Sequence, residues 1–287
     1  MTTLAIPLRP PAPPQAHLFR DQLAAVQHIR RLRGGSQSQL MRASDNCYWV
    51  VKLLGNPQDD RVLANEFLAS RLGRHLSLPI PDVEVIEVSD WLIQHTPELH
   101  VESAGYRRPY SSGLHLASRY AGNPETSQVF DYLPETDFSK VVNKADFPRC
   151  LVLDKWTSNA DGRQAVFVTL AGKCRYAAYF IDQGYSFNAG EWAFPDLALH
   201  GIYYRNHVYQ DVTSWDSFEP ALTAVEEMDR QEIWECAAPI PSEWCGPNSD
   251  ALPQLLEDLY RRRSKIRDLI TAFRTSSRNP FPNWIGN

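Results

Sequence analysis

Four charged positions draw attention because each sits where its charge needs a partner. Lys52 lies inside the apolar run Tyr48-Trp49-Val50-Val51-Lys52-Leu53-Leu54, and an ammonium buried without a counter-charge is very costly. Glu66 follows in the helical stretch Arg61-Val62-Leu63-Ala64-Asn65-Glu66-Phe67-Leu68-Ala69-Ser70. Helical spacing puts Ser70 and Gly73 on its face, and two small residues there would let a sheet come close while Glu66 reaches a lysine on it. Asp161 falls in Asn159-Ala160-Asp161-Gly162-Arg163-Gln164, between a predicted helix and a predicted strand, so it occupies a short loop held by rigid elements. A loop aspartate within reach of a hydroxyl can accept its proton. Asp182 ends an apolar strand in Phe180-Ile181-Asp182-Gln183-Gly184, where a projecting carboxylate suits a hard cation. Asn159, Arg163 and Gln164 add polar groups that can fix the loop or touch phosphate and metal.

Ahead of all these comes Gly34-Gly35-Ser36-Gln37-Ser38. Glycines let backbone N–H groups approach an anion, and serine hydroxyls add donors. Singly, each feature is also commonplace: a Gly-Gly hairpin turn, an edge-strand lysine, a solvent-facing glutamate, two ordinary aspartate turns. Their order carries more weight. Glycine-rich loop, strand lysine, helix glutamate, loop aspartate and strand-end Asp-x-Gly form a series suited to moving the terminal phosphoryl group of a nucleotide. Asp161 and Asp182 flank one predicted hairpin, which can bring both to a single metal–phosphate centre.

The elements that must position these residues change type along the chain. Val26–Arg33, Ser38–Ala43 and Tyr48–Leu54 read as short strands, broken at Gly34-Gly35 and at Ser44-Asp45-Asn46. Asp59-Asp60 open a helix to about His75, halted before Pro79 and Pro81. Val83–Val88 and Leu114–Tyr120 read as further strands. The first half is thus a small antiparallel sheet carrying one helix. In the second half Asp146 and Pro148 start a helix reaching Trp156. Val166–Leu170 and Tyr176–Ile181 form a hairpin around Ala171-Gly172-Lys173. From Leu252 to Phe273 apolar residues recur at three- and four-residue steps, predicting one long amphipathic helix with Arg261-Arg262-Arg263 on a solvated face.

Composition narrows the classes. The 287 residues are 43% hydrophobic and 22% charged, enough for one large domain or two lobes sharing a cleft. A net charge of −5 provides no field for a polyphosphate backbone, so direct nucleic-acid binding is not expected. No apolar run approaches a membrane span, and no basic start with an apolar core marks a secretory signal. The five cysteines are scattered without the close pairs of structural zinc, which fits reduced thiols in a cytoplasmic protein. Met1–Gln15 holds five prolines and no amphipathic period, so residues 1–16 are expected as a disordered arm. Residues 275–287 are expected as a flexible tail.

At this point the residues resemble a known family. Gly34-Gly35-Ser36-Gln37-Ser38-Gln39-Leu40, Val50-Val51-Lys52 and Leu63-Ala64-Asn65-Glu66 followed by Leu78-Pro79 resemble the N-lobe of HipA-like kinases. Asn159-Ala160-Asp161 and Ile181-Asp182-Gln183-Gly184 resemble their catalytic and metal-binding segments, and the similarity spans roughly residues 25–272. The resemblance implies an α+β, bilobal protein-kinase-like fold, with an N-lobe over 17–120, a mainly helical C-lobe over 121–274, and ATP and Mg²⁺ in the cleft. It implies that Lys52 binds the phosphates beneath the loop Gly34–Ser38, that Glu66 orients Lys52, that Asp161 is the catalytic base and that Asp182 chelates metal. Leu116–Tyr120, with Ser118 at its centre, would be the hinge that holds adenine. Such kinases phosphorylate Ser/Thr of proteins, several beside a small DNA-binding antitoxin, and some autophosphorylate serines of the glycine-rich loop, the place of Ser36 and Ser38.

The sequence departs from the family at one point. Relatives usually carry an asparagine five residues after the catalytic aspartate as a second metal ligand, and that position is Val166. Gln164 or Asn159 is the candidate substitute. Otherwise the protein binds one metal, or is a weak kinase or a pseudokinase acting through protein contacts. A small-molecule or lipid-headgroup kinase and a nucleotide-free interaction domain are the remaining readings.

Overall fold

Period-two burial shapes the first half of the chain. The computed structural model describes residues 22–286 apart from 56, 104 and 171–173, so the expected arm 1–16 and the hairpin tip Ala171-Gly172-Lys173 lie outside the described residues. β1 (Leu23–Arg31), β2 (Gln39–Ala43) and β3 (Tyr48–Lys52) run antiparallel, followed by α1 (Arg61–His75) and β4 (Val83–Val88). Next come α2 (Asp90–His95), a hairpin of β5 (His100–Ser103) and β6 (Tyr106–Pro109), and β7 (Gly113–Arg119). The sheet is a closed barrel in the order β1-β2-β3-β7-β4, with β4 parallel to β1 through Leu23–Ile86 and Ala24–Glu87. This corrects the antiparallel sheet expected from the sequence, since one of its pairings is parallel. Closure gives both outer strands of this sheet a partner, through the two β1–β4 pairs.

Alternate residues separate two faces. Ala43, Trp49, Val51, Ile86, Val88 and Ala117 fill the barrel. Lys52 and Leu116, paired across β3 and β7, point the other way, towards α1, as residues opposite one another on neighbouring strands must. Leu116 joins Leu63, Ala64, Phe67, Val83 and Trp244 in a small core under the helix.

The second half contains β8 (Val129–Phe130), α3 (Glu135–Phe138), α4 (Asp146–Trp156), β9 (Gln164–Thr169) and β10 (Tyr176–Ile181), then α5 (Ala221–Glu227), α6 (Arg230–Ala237), α7 (Ala251–Arg262) and α8 (Ile266–Arg274). Its core gathers Phe147, Leu151 and Trp156 of α4, Leu255 and Leu259 of α7, and Ile270 and Phe273 of α8, and it also takes Leu68, Ala69 and Leu72 of α1. Helix α1 therefore belongs to both halves. Gly73 serves that role: a methyl there would overlap Ile80 and Leu153 of α4. The small face of α1 thus admits the helical half, rather than the sheet as the sequence led one to expect.

Two further expectations are revised. The single long helix over 252–273 is interrupted by a 3-10 turn at Arg263–Lys265, because Arg263 turns its guanidinium to the carbonyl oxygens of Glu226 and Met228 at the end of α5. Arg262 is buried rather than solvated and bonds Asp196 at 2.7 Å. The segment expected as a flexible tail is also docked. Phe281 is 3% exposed against Tyr209, Phe218 and Phe273, and Ile285 N–H donates to Thr213 O. Aromatic content overrides the polar composition there, since each buried ring contributes about 1.5–3 kcal/mol. Among the described residues no helix is long and apolar enough to cross a membrane.

Candidate active site

Lys52 leaves β3 on the helix side, is 5% exposed, and forms ion pairs with Glu66 of α1 and with Asp182 Oδ1, the latter at 2.8 Å. Burial alone would discharge this ammonium, but the two carboxylates overcome it and its pKa lies above the ordinary lysine value. Burial raises the Glu66 carboxyl above its usual range even beside Lys52. Asp182 lies on balance below its usual range: burial opposes the charge, while Lys52 and then Arg163 favour it. One cation thus holds two acids from opposite halves of the protein.

Asp182 adopts a left-handed backbone, with φ of 59°. Gly184, two residues on, lies so close to α1 that an added Cβ would stand 2.5 Å from Val62 Cγ1. The Asp-x-Gly glycine is therefore required by the approach of helix to turn.

Asp161 is exposed on the loop between α4 and β9. Its Oδ1 accepts from the N–H of Gly162 at 2.7 Å, and its own N–H donates to Asn159 Oδ1 at 3.2 Å. Gln164, the first residue of β9, directs its amide Nε2 to Asp161 Oδ2 (3.5 Å) and Asp182 Oδ2 (3.3 Å). One amide group therefore touches both aspartates, which places the two carboxylates around a single small volume.

The loop is fixed from below by Arg163 and Asn159, two of the polar groups expected to fix it or touch the ligand, and by Asp154, to which the sequence reading gave no role. Arg163 and Asp154 form a buried ion pair in which Nε donates to Oδ2 at 3.0 Å and Nη2 to Oδ1, while Arg163 Nη1 donates to Ile181 O at 2.8 Å. Asn159 is 1% exposed and donates to Asp154 Oδ1 at 2.9 Å. Its amide is spent on Asp154 and its oxygen on the backbone of Asp161. Of the two candidate amide ligands, Gln164 is the one that faces the carboxylates, and Asn159 braces the loop.

The glycine-rich segment joins β1 to β2. Gly34 has a φ of 134° with nothing within 4 Å of where a Cβ would stand, so its glycine serves backbone conformation. Ser36 and Ser38 bond one another at 2.9 Å and are nearly buried. Gln37 was expected to contact nucleotide, yet its side chain pairs with the backbone of Glu102 on β5, donating to O at 2.5 Å and accepting from N–H at 3.0 Å. The hairpin that receives it carried no strong strand pattern. At the expected hinge, Leu116 is fully buried under α1, whereas Ser118 and Tyr120 are half-buried. Leu116, paired with Lys52 across β3 and β7, thus backs the site.

The donor set can be weighed against a metal. Among the described residues no group of three or more His, Cys, Asp or Glu side chains is gathered to hold an ion alone. Two carboxylates and an amide match a hard cation that keeps phosphate and water oxygens in its shell. The partly positive NH₂ of Gln164 stands between the carboxylates, and amide rotation would present its oxygen instead.

Comparisons with known proteins give the family and the fold. The HipA-like kinase profile matches residues 26–272, and the protein belongs to that family. No curated relative matches by sequence. Among solved structures the chain resembles the Golgi casein kinase in two structures, one of them with Mn/ADP bound, each with a TM-score of 0.53, 12% identity, and coverage of 88% of this chain and 74% of that one. It also resembles the Helicobacter pylori proinflammatory kinase CtkA, with a TM-score of 0.55, 14% identity, and coverage of 87% and 95%. At such identities the likeness establishes a kinase fold of mixed helix and sheet.

Proposed function

We propose that the protein transfers the γ-phosphoryl group of ATP to a serine or threonine hydroxyl of a protein, using a divalent cation, by expectation Mg²⁺. The observation that supports this most is the contact of Gln164 with both Asp161 and Asp182 while Lys52 holds the other oxygen of Asp182. Base, metal ligand and phosphate cation thereby share one centre. The Golgi casein kinase structure with Mn/ADP makes a nucleotide and a divalent metal a natural pair for this site.

In this reading Lys52, kept charged by Glu66, neutralises the non-transferred phosphates. Asp182 and Gln164 hold the cation, which screens the charge of the triphosphate when bound. Asp161 orients the acceptor hydroxyl and takes its proton as the new P–O bond forms and the bond to the leaving ADP breaks. Asp154, Arg163 and Asn159 keep that loop in place, so catalysis rests on positioning and charge neutralisation. The adenine would lie against Ser118 and Tyr120, under the loop Gly34–Ser38.

Val166 favours a second reading, a nucleotide-binding pseudokinase, because one amide ligand is missing from the usual place and Asn159 is committed elsewhere. Transfer of labelled γ-phosphate to the protein itself and to a mixed protein substrate tests both readings. Label in wild type that vanishes in Asp161→Ala supports the kinase. ATP binding with no label in wild type supports the pseudokinase.

A further inference from the structure

Asn65 is fully buried on α1 and takes no part in the chemistry above, yet its side chain uses both ends of its amide. Nδ2 donates to Gly184 O at 2.9 Å and to Ala189 O at 2.8 Å, and Oδ1 accepts from Trp192 Nε1 at 2.6 Å. All three partners lie in residues 184–192, the stretch of chain that leaves Asp182. Asn65 is adjacent to Glu66. One turn of α1 therefore grips Lys52 through residue 66 and the exit of the Asp182 turn through residue 65.

Arg61, four residues earlier and so on the same helix face, repeats the contact. Its Nη1 donates to Gly190 O at 2.7 Å, and its guanidinium lies 4.6 Å over the Trp192 ring. The close passage of Gly184 past Val62 completes the join. The residue type follows from the partners. Two carbonyl oxygens need donors and one indole N–H needs an acceptor, which a primary amide supplies in one planar group. An aspartate of the same size would accept from Trp192 but turn negative charge on the two carbonyl oxygens.

We infer that Asn65 is a positioning residue that locks the helix carrying Glu66 to the turn carrying Asp182, so that cation and metal-binding carboxylate hold their separation before nucleotide arrives. This rests on the kinase reading for its consequence, though the tie itself does not. Asn65→Asp tests it, with Trp192→Phe, which removes one of the three bonds, as a milder variant should the first not fold. Hydrogen exchange reads the tie without nucleotide. Amides of residues 184–192 should exchange faster by about tenfold in Asn65→Asp, relative to the buried strands, and by less in Trp192→Phe. Divalent-metal titration of ATP binding reads the consequence. The metal concentration at half-saturation should rise about tenfold, as when a partner behind a metal ligand is lost, while ATP affinity at saturating metal stays near wild type.

A role in folding alone would lower the melting temperature and leave both readouts unmoved, which overturns the inference. Faster exchange with an unchanged metal requirement overturns the positioning role as well. Wild type that binds no ATP would sink the kinase reading and the positioning role with it, while the exchange result would still decide whether the tie exists.

Discussion

Two buried ion pairs flank the loop of Asp161, and they are built to different ends. In Asp154–Arg163 the side chains are 1% and 2% exposed, and both carboxylate oxygens are bonded to the guanidinium. In the other cluster Lys52 and Glu66 are each 6% exposed, but the Asp182 side chain is 32% exposed, and its Oδ2 accepts a long contact from the amide of Gln164, at 3.3 Å. A pair closed on every side can only hold structure. A pair with one carboxylate partly exposed can exchange a protein partner for a ligand. The same interaction type thus serves as brace in one place and, in the function proposed here, as binding site in the other.

That contrast breaks most sharply at the open cluster. Asp161→Ala and Asp182→Asn should each lower phosphoryl transfer by about 10²–10⁴-fold, and Asp161→Ala should leave the melting temperature near wild type because the residue is exposed. Equal labelling in all three proteins would remove these aspartates from the mechanism. The closed pair should answer in stability. Arg163→Met leaves Asp154 buried and unpaired, a loss of about 3–5 kcal/mol in urea unfolding, and the double variant Asp154→Leu/Arg163→Met should recover most of it. A double variant as unstable as the single would mean that the pair contributes more than mutual neutralisation.

A pH effect sharpens the comparison from a neutral neighbour. His115, on β7 opposite Ile86 of β4, is fully buried, and its Nδ1 accepts from the N–H of Leu54 at 2.9 Å, just past Lys52. Burial pushes its pKa from 6.5 down to about 4. Below pH 6.5 the unfolded chain therefore binds a proton that the folded chain refuses. Stability from this group is complete above about pH 6.5 and is lost as pH falls through 4, about 3 kcal/mol in all. His115→Asn should flatten that part of a stability–pH profile; an unchanged slope would assign it to other groups. The smallest effect is expected at Gln164, where replacement by Ala should weaken divalent-metal binding by about 1 kcal/mol, roughly fivefold. An unchanged metal titration would take Gln164 out of the ligand set.

Much of the site could be read in the sequence because its chemistry obeys local rules. A lysine in an apolar strand demands an acid, a helix supplies one at the right phase, and aspartates after a helix and a strand sit at element ends. Residues Val83–Val88, Asp146–Trp156 and Tyr176–Ile181 have the predicted bounds for the same reason. What escaped depends on contacts distant in sequence. Barrel closure needs β1 beside β4, some 60 residues apart. The hairpin of β5 and β6 lacks alternation because every residue of β6 is exposed, and the grip of Gln37 on it follows from that unseen hairpin. Asp154 could have been suspected as a carboxylate directly after the apolar run Cys150-Leu151-Val152-Leu153, nine residues before an arginine. Asn65 belonged to the Leu63-Ala64-Asn65-Glu66 stretch that carries the family resemblance, but its role could not be read until its three partners were in place.

The central claim is that Lys52, Asp161 and Asp182 surround one metal-bound triphosphate. Calorimetric titration of ATP with and without a divalent cation, on wild type and Asp182→Asn, tests it most directly. The account predicts that the cation tightens ATP binding by at least about tenfold in wild type, or 1.4 kcal/mol, and that Asp182→Asn abolishes the gain. ATP that fails to bind wild type, or a metal effect that survives in Asp182→Asn, would contradict it.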